Sequence, residues 1–518
     1  MSRHVLAGAL ALVLAAQGMS MPRADTLVVT PLALDRQAAP GGGRFVLIGD
    51  IWIDTLRRVL FSAATSQGRM GIYRVARGQT SRLLATGDAA PSGGRFEFLL
   101  EPAGNVQGDI AFIATTVSPA HIGVYLLRDG ILSTIALDGD PAPSRRGETF
   151  SSFDQVQIDS FGEIVFGAVL AGPDGRGIFR ASASGIEAVL VPGDFLGARE
   201  VLETLQFRAN DAGDVASLVR ITDRQLFGPQ VYFPVELWLR RQGTSHVLAG
   251  EFFTAGNASD IFLNFAVTFN QVAIDPEGGI SFYAGTEQRP LGAYFVNRNG
   301  GFLQNDRILG MRDPAPLSPG DEFFALGAFG MSPKGLLAFH ATTELGPQGG
   351  AIFARRNGVM VPVAIAGELR PGSLTDLPAQ PWRGFQTLEM NPEGAFIFTE
   401  LAGIIRPSLF MARFVPAPFS VIDDLRGLIP TLPLTPADAA LLLSRLASIE
   451  RFAADDAGEQ ARKLALTLQR AIRGKAGGAI PLEAADPLDP LLDDLVIAVS
   501  QPRQAPVASR FDSLPIER

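Results

Sequence analysis

Gly139-Asp140-Pro141-Ala142-Pro143, Thr149-Phe150-Ser151-Ser152-Phe153, Asp159-Ser160-Phe161-Gly162, Ile164-Val165-Phe166-Gly167-Ala168 and Gly177-Ile178-Phe179-Arg180 follow one another in the third of seven similar units between Arg36 and Phe414. A Gly-Asp-Pro loop leads into Phe-rich strands, an Asx-x-x-Gly turn follows, and two or three further short strands close the unit. The turn recurs at Asn105-Val106-Gln107-Gly108, Asn210-Asp211-Ala212-Gly213, Asp275-Pro276-Glu277-Gly278, Ser332-Pro333-Lys334-Gly335 and Asn391-Pro392-Glu393-Gly394, with a degenerate copy at Asp54-Thr55-Leu56-Arg57. Asn and Asp bond their own backbone two residues on and Gly supplies positive φ, as a tight strand-to-strand turn requires. A period of about 50–60 residues with four short strands per unit is the arithmetic of a propeller blade.

The ends of the array argue for closure. The seventh unit stops near Arg413 after its third strand. An orphan strand, Leu27-Val28-Val29-Thr30-Pro31-Leu32-Ala33-Leu34, stands before the first loop. That strand predicts the missing fourth strand of the last blade, a latch that removes free edges. An open β-solenoid is the alternative for such a repeat. The expectation is a mainly β chain, a seven-bladed β-propeller over residues 25–416 closed by its N-terminal strand.

Gly-Asp-Pro-Ala-Pro, Thr-Phe-Ser-Ser-Phe and Asn-x-x-Gly-x-x-Ala-Phe together resemble the bacterial tandem-repeat proteins called NxxGxxAF-containing. Their units are similar to TolB-type propeller blades. The resemblance covers about residues 36–414 and implies architecture, since that family has no established activity to carry over.

After Pro416 the apolar period changes from two to 3.6. Thr435 reads as an N-cap before Pro436, and Leu442, Leu446, Ile449 and Ala453 line one face. Asp456-Ala457-Gly458-Glu459 has capping-box spacing. Ala461, Leu464, Leu468 and Ile472 make a second stripe ending near Gly474. A third helix is predicted from Pro487 or Pro490, using Leu491, Leu492, Leu495 and Ala498. This small helical bundle, residues 420–500, is similar to the helical modules of FIMAH type through its apolar spacing and Gly477-Gly478-x-Ile480. A helical cap packed on the propeller is the alternative, and 501–518 reads as a loose tail.

The first 24 residues read as a signal peptide. Arg3 and His4 precede the apolar run Val5–Ala16, which is too short to span a bilayer comfortably. Export to the periplasm or exterior of a bacterium is expected, with no transmembrane segment after cleavage. Among 518 residues there is no cysteine, which removes disulfides, thiolate metal sites and Cys nucleophiles. The net charge of −9 becomes −11 once residues 1–24, carrying two arginines and no acid, are lost. Such a surface argues against nucleic acid, whose phosphates need neutralising.

No named catalytic motif is present. His121, His246 and His340 fall in different units with no ligand spacing. The inter-blade loops place Asp88, Asp140, Asp194, Glu251, Asp313 and Glu368 at matching positions, with Gln37 in the first unit. A ring of these acids would suit a hard cation such as calcium or a cationic ligand. The competing reading is that each acid accepts backbone N–H groups of its own loop, and no cofactor is then expected. Departures from the repeat are the other place to look. Unit four inserts 222–234 with Tyr232 and Phe233, and unit five carries Phe252 and Phe253, an aromatic set for a glycan or protein partner or for burial. These residues favour an exported binding or interaction protein. The alternatives are a propeller hydrolase or lactonase with a metal near the central channel, and a structural envelope protein.

Overall fold

The computed structural model describes residues 26–500 apart from short stretches, the longest being 252–261, 266–271, 369–381, 401–407 and 476–487. The expected signal peptide and the tail 501–518 lie outside the described residues. Residues Val29–Arg413 form one compact unit, and the C-terminal helices belong to another.

Seven antiparallel sheets make up the larger unit. Blade 1 runs Phe45–Ile53, Val59–Thr65, Met70–Ala76, Gln79–Ala85, and blade 2 Arg95–Gly104, Ile110–Val117, His121–Arg128, Ile131–Leu137. Blade 3 is Phe150–Ile158, Ile164–Leu170, Arg176–Ser182, Gly185–Leu190, and blade 4 Arg199–Ala209, Val215–Ile221, Val235–Arg241, Thr244–Gly250. Blade 5 has a divided inner strand, Phe262–Phe265 and Val272–Ile274, before Ile280–Thr286, Gly292–Val296 and Phe302–Gly310. Blade 6 is Phe323–Met331, Leu337–Thr343, Ala351–Arg356, Val359–Ile365. Blade 7 takes Phe385–Met390, Phe396–Glu400 and Ser408–Val415 from the end of the ring and its outermost strand, Thr26–Ala33, from the beginning. The ring is latched as the split ends predict. Pro31 and Pro362 both sit in outermost strands, where a missing N–H costs no ladder bond on the solvent side.

The repeated Phe has a physical explanation in the sheet register. Second and third strands oppose Phe61 to Tyr73, Phe112 to Tyr125, Phe166 to Phe179, Phe282 to Tyr294, Phe339 to Phe353 and Phe398 to Phe410. Each of these pairs stacks with centroids 5.5–5.8 Å apart. In blades 1, 2, 3, 6 and 7 an inner-strand Phe (Phe45, Phe96, Phe150, Phe323, Phe385) meets its pair edge-on. Cross-strand aromatic pairs of this kind are worth about 0.5–1.5 kcal/mol beyond their burial. Blade 4 departs, with Ser217 opposite Trp238.

The Asx turns are built by their own side chains. Asn105 Oδ1 accepts the backbone N–H of Gly108 (3.1 Å) and Asp109 (3.0 Å). Asp159 Oδ1 accepts from Phe161 and Glu163, and Asn210 Oδ1 from Ala212 and Asp214, all at 2.9–3.1 Å. The turn glycine stands at positive φ in Gly108, Gly162, Gly213, Gly278 and Gly394, and Arg57 takes that conformation in blade 1. The turns also join blade to blade. Asn105 Nδ2 donates to Asp159 O (3.1 Å), Arg58 to Asn105 O and Val106 O, and Arg128 to Gly162 O. Asn391 Nδ2 donates to Asp54 O at 2.6 Å, which ties blade 7 to blade 1.

The second unit contains four helices among the described residues, where the sequence pattern predicts three. They are α1 (Pro418–Leu428), α2 (Pro436–Ala454), α3 (Gly458–Lys475) and α4 (Leu488–Ser500). The unpredicted α1 contributes Val421, Ile422 and Leu425 to the core, a stripe too short to stand out from the strand that precedes it. Thr435 caps α2, its Oγ1 accepting the Asp438 N–H at 3.2 Å. The predicted stripes of α2 and α3 are buried at Leu442, Leu446, Ile449, Ala461, Leu468 and Ile472, against Leu492 and Leu495 of α4. Asp456, Ala457 and the Gly477-Gly478 turn lie outside the described residues, and α3 runs one residue past Gly474.

Candidate functional site: the axial cavity

Inner strands begin after a Gly-Asp loop and end at an Asx turn, so the two loop sets occupy opposite ends of these strands. At the Gly-Asp end the acids are engaged by their own loops. Asp88, Asp140, Asp194 and Asp313 each accept, on Oδ2, the N–H of the residue three earlier: Ala85, Leu137, Val191 and Gly310, at 2.7–3.0 Å. Gln37 Oε1 does the same for Leu34 (3.0 Å), and Glu251 Oε2 accepts from Val235 (2.9 Å). Glu368 is exposed, and its N–H donates to Ile365 O. Among the described residues no three of His, Asp and Glu come together as a metal-binding set.

In blade 4, 225–227 and 230–232 form a small hairpin that places the Tyr232 backbone opposite Gln225. Phe233, Phe252 and Phe253 lie outside the described residues. His121 pairs with Asp138 (Nδ1 to Oδ1, 3.0 Å) within blade 2. His340 is half-buried in blade 6, and burial lowers its pKa.

The Asx end of the ring holds a feature that the repeat analysis overlooked. A cavity of about 160 Å³ is lined by residues from all seven blades. Counting back two residues from each Asx position gives Trp52, Ala103, Gln157, Arg208, Ala273, Gly330 and Glu389, and all but Ala103 line it. One register position therefore points at the axis in nearly every blade. It carries opposite charges on blades 4 and 7, and Arg208 and Glu389, 181 residues apart in sequence, meet at 2.9 Å. Their side chains keep 18% and 27% of their area accessible. Burial raises the Glu389 carboxyl against the lowering effect of Arg208.

Two residues further from the turn the strands carry more charge. Inner strands break register at bulges between Ile48 and Ile51, Leu100 and Ala103, and Phe153 and Gln155, and these bulges hold Asp50, Glu101 and Asp154. Glu101 takes φ +47°, a strained conformation for a residue with a Cβ, and its N–H donates to Asp50 Oδ2 at 3.0 Å. Burial, then the Asp50 charge, push its carboxyl up to about 8 although Arg208 opposes the shift; Glu389 and Asp154 add to it. Inner strands of blades 1, 2, 3, 4 and 7 thus bring their charges within electrostatic reach at the axis. Asp154 is bound by Arg176 (2.5 and 3.0 Å). Among the described residues, no hydrogen bond or ion pair reaches the Glu101 carboxyl. Aligning the units on their Asx turns and reading the variable positions just upstream would have exposed this set.

A model of a family of unknown function, DUF7453, matches residues 15–294, more than half of the chain. No curated protein matches it in sequence. Among solved structures it is similar to a puromycin hydrolase, at 16% identity and TM-score 0.40, over 75% of this chain and 57% of that one. A puromycin-hydrolyzing peptidase of Mycobacterium tuberculosis gives 14% and 0.36, over 75% and 55%. An acylaminoacyl peptidase gives 11% and 0.40, over 71% and 51%. The chain spans little more than half the length of these three proteins, and the likeness is one of fold alone.

Proposed function

The chain belongs to the DUF7453 family of unknown function, and we propose that it is an exported binding protein whose ligand enters the axial cavity of the propeller. The carrying observation is that cavity, lined from all seven blades and spanned by the Arg208–Glu389 pair. Concave sites with a few convergent polar groups among apolar walls are where small ligands bind. A repeated residue serves its unit, whereas the axial position differs from blade to blade, as a site requires. Export to the periplasm or exterior is supported by the basic and apolar start at Arg3 and Val5–Ala16. The resemblance to NxxGxxAF repeats fits a scaffold that presents its axis, and the FIMAH-like helices fit a docking appendage. The reading needs no resident cofactor.

A thermal-shift screen of the full chain against small charged and polar metabolites tests it. Compounds that raise Tm are expected to lose their effect in the double variant Arg208→Met, Glu389→Leu. Replacing both members of a buried pair by apolar groups is often neutral for folding, so the variant reports on the site. A screen without hits, or hits indifferent to the double variant, would refute the proposal.

A further inference from the structure

The chemistry around the cavity says what kind of ligand it suits, an argument that rests on the cavity being the binding site. Trp52 stands on the cavity wall at the axial position of blade 1. Glu389 faces the cavity, and Glu101 lies one pleat deeper within electrostatic reach of Arg208 and Glu389. The remaining wall is largely apolar, with Ile274, Met331 and Met390 among its members. The charges near the axis are unequal. Asp154 has Arg176 and Glu389 has Arg208, while Glu101 and Asp50 have no cation of their own among the described residues. A cavity on the order of 150 Å³ holds a benzene-sized molecule.

We propose that the cavity takes a small organic cation, its ammonium group held between the Trp52 ring and the carboxylates of Glu101 and Glu389, its apolar body against Ile274, Met331 and Met390. An indole face attracts a desolvated cation through its quadrupole. The cation supplies the positive charge that the acids lack. Resting Glu101 is mostly protonated at neutral pH, because burial and the charges of Asp50, Glu389 and Asp154 outweigh Arg208. Uptake of the cation therefore releases the Glu101 proton to solvent: one positive charge enters as another leaves, and no other bond changes. Linkage then requires affinity to rise with pH up to the carboxyl's own value of about 8.

Calorimetric titration of the full chain with choline and butylammonium tests this, with 3,3-dimethylbutanol, butyrate and calcium as comparison probes. At least one ammonium probe is expected to bind at 1:1, about tenfold or more tighter than the neutral alcohol, with log K rising by about one per pH unit from pH 6 to 8. Glu101→Gln copies the neutral resting carboxyl and should fold normally. It is expected to bind the cation at least about tenfold more weakly, with no pH slope. Failure of both ammonium probes, a flat profile in the wild type, or stoichiometric calcium that displaces them would overturn the proposal. Butyrate binding that disappears in Arg208→Gln would overturn the cation and leave the cavity standing as a site. Silence from every probe, together with an empty metabolite screen, would remove both.

Discussion

Glu101 is the residue whose environment departs most from its ordinary chemistry. Its folded carboxyl titrates at about 8 against an ordinary 4.5, so between those values the native state holds a proton that the unfolded chain has lost. A raised acid favours the fold at low pH, and its contribution is lost as pH rises through that window, by up to about 1.4 kcal/mol per unit. Raising pH from 5 to 8 is expected to lower Tm, and Glu101→Gln should flatten that fall and raise Tm at pH 8. Glu389 and Asp54, also raised by burial, keep part of the slope in the variant. Differential scanning calorimetry at the two pH values checks it. A variant no more stable than wild type at pH 8 would show that Glu101 is not held neutral. The turn-forming acids behave differently: Asp88, Asp140, Asp194 and Asp313 are ordinary acceptors of nearby N–H groups.

At the scale of the element, the Asx turn is both a strand connector and a blade-to-blade tie. Asn391 shows the two roles together, Oδ1 accepting the Ala395 N–H at 2.8 Å and Nδ2 donating to Asp54 O at 2.6 Å. Asn391→Ala removes both and leaves buried partners unpaired, a loss of about 1–3 kcal/mol in urea unfolding. Asn391→Asp keeps the acceptor for Ala395 but cannot donate to Asp54 O, so it should remain destabilising. Wild-type stability in Asn391→Asp would show that the tie between blades 7 and 1 is worth nothing. The turns were legible in the sequence because local hydrogen bonding selects Asn, Asp and Gly. The aromatic pairs were legible as repeated Phe, though their register across strands was not. Helix α1 was missed because eleven residues carry few periods, and its burial is decided by three later helices.

The whole molecule is a ring whose closure joins residues near both ends of the repeat array. Its first strand, Thr26–Ala33, supplies the outer strand of blade 7 and buries Leu32 and Ala33 in a core shared with Ile397 and Leu409. A chain beginning at Gln37 would leave the edge of Ser408–Val415 unpaired, an invitation to pair with another chain. It should lose its monomer peak in size-exclusion chromatography with light scattering and melt lower than the chain from Thr26. A stable monomer of unchanged Tm would mean that the latch is dispensable. No helix among the described residues is long and apolar enough to cross a membrane. What the sequence determined by itself was the repeat, the turns, the blade count and the split last blade, because each follows from contacts within about sixty residues or from what is missing at an end. Only the tertiary structure decided that one position upstream of each turn faces a common axis, bringing Arg208 to Glu389 and Glu101 into the field of four other blades. Alternation along a strand says which residues share a face, and closing the ring decides what that face meets.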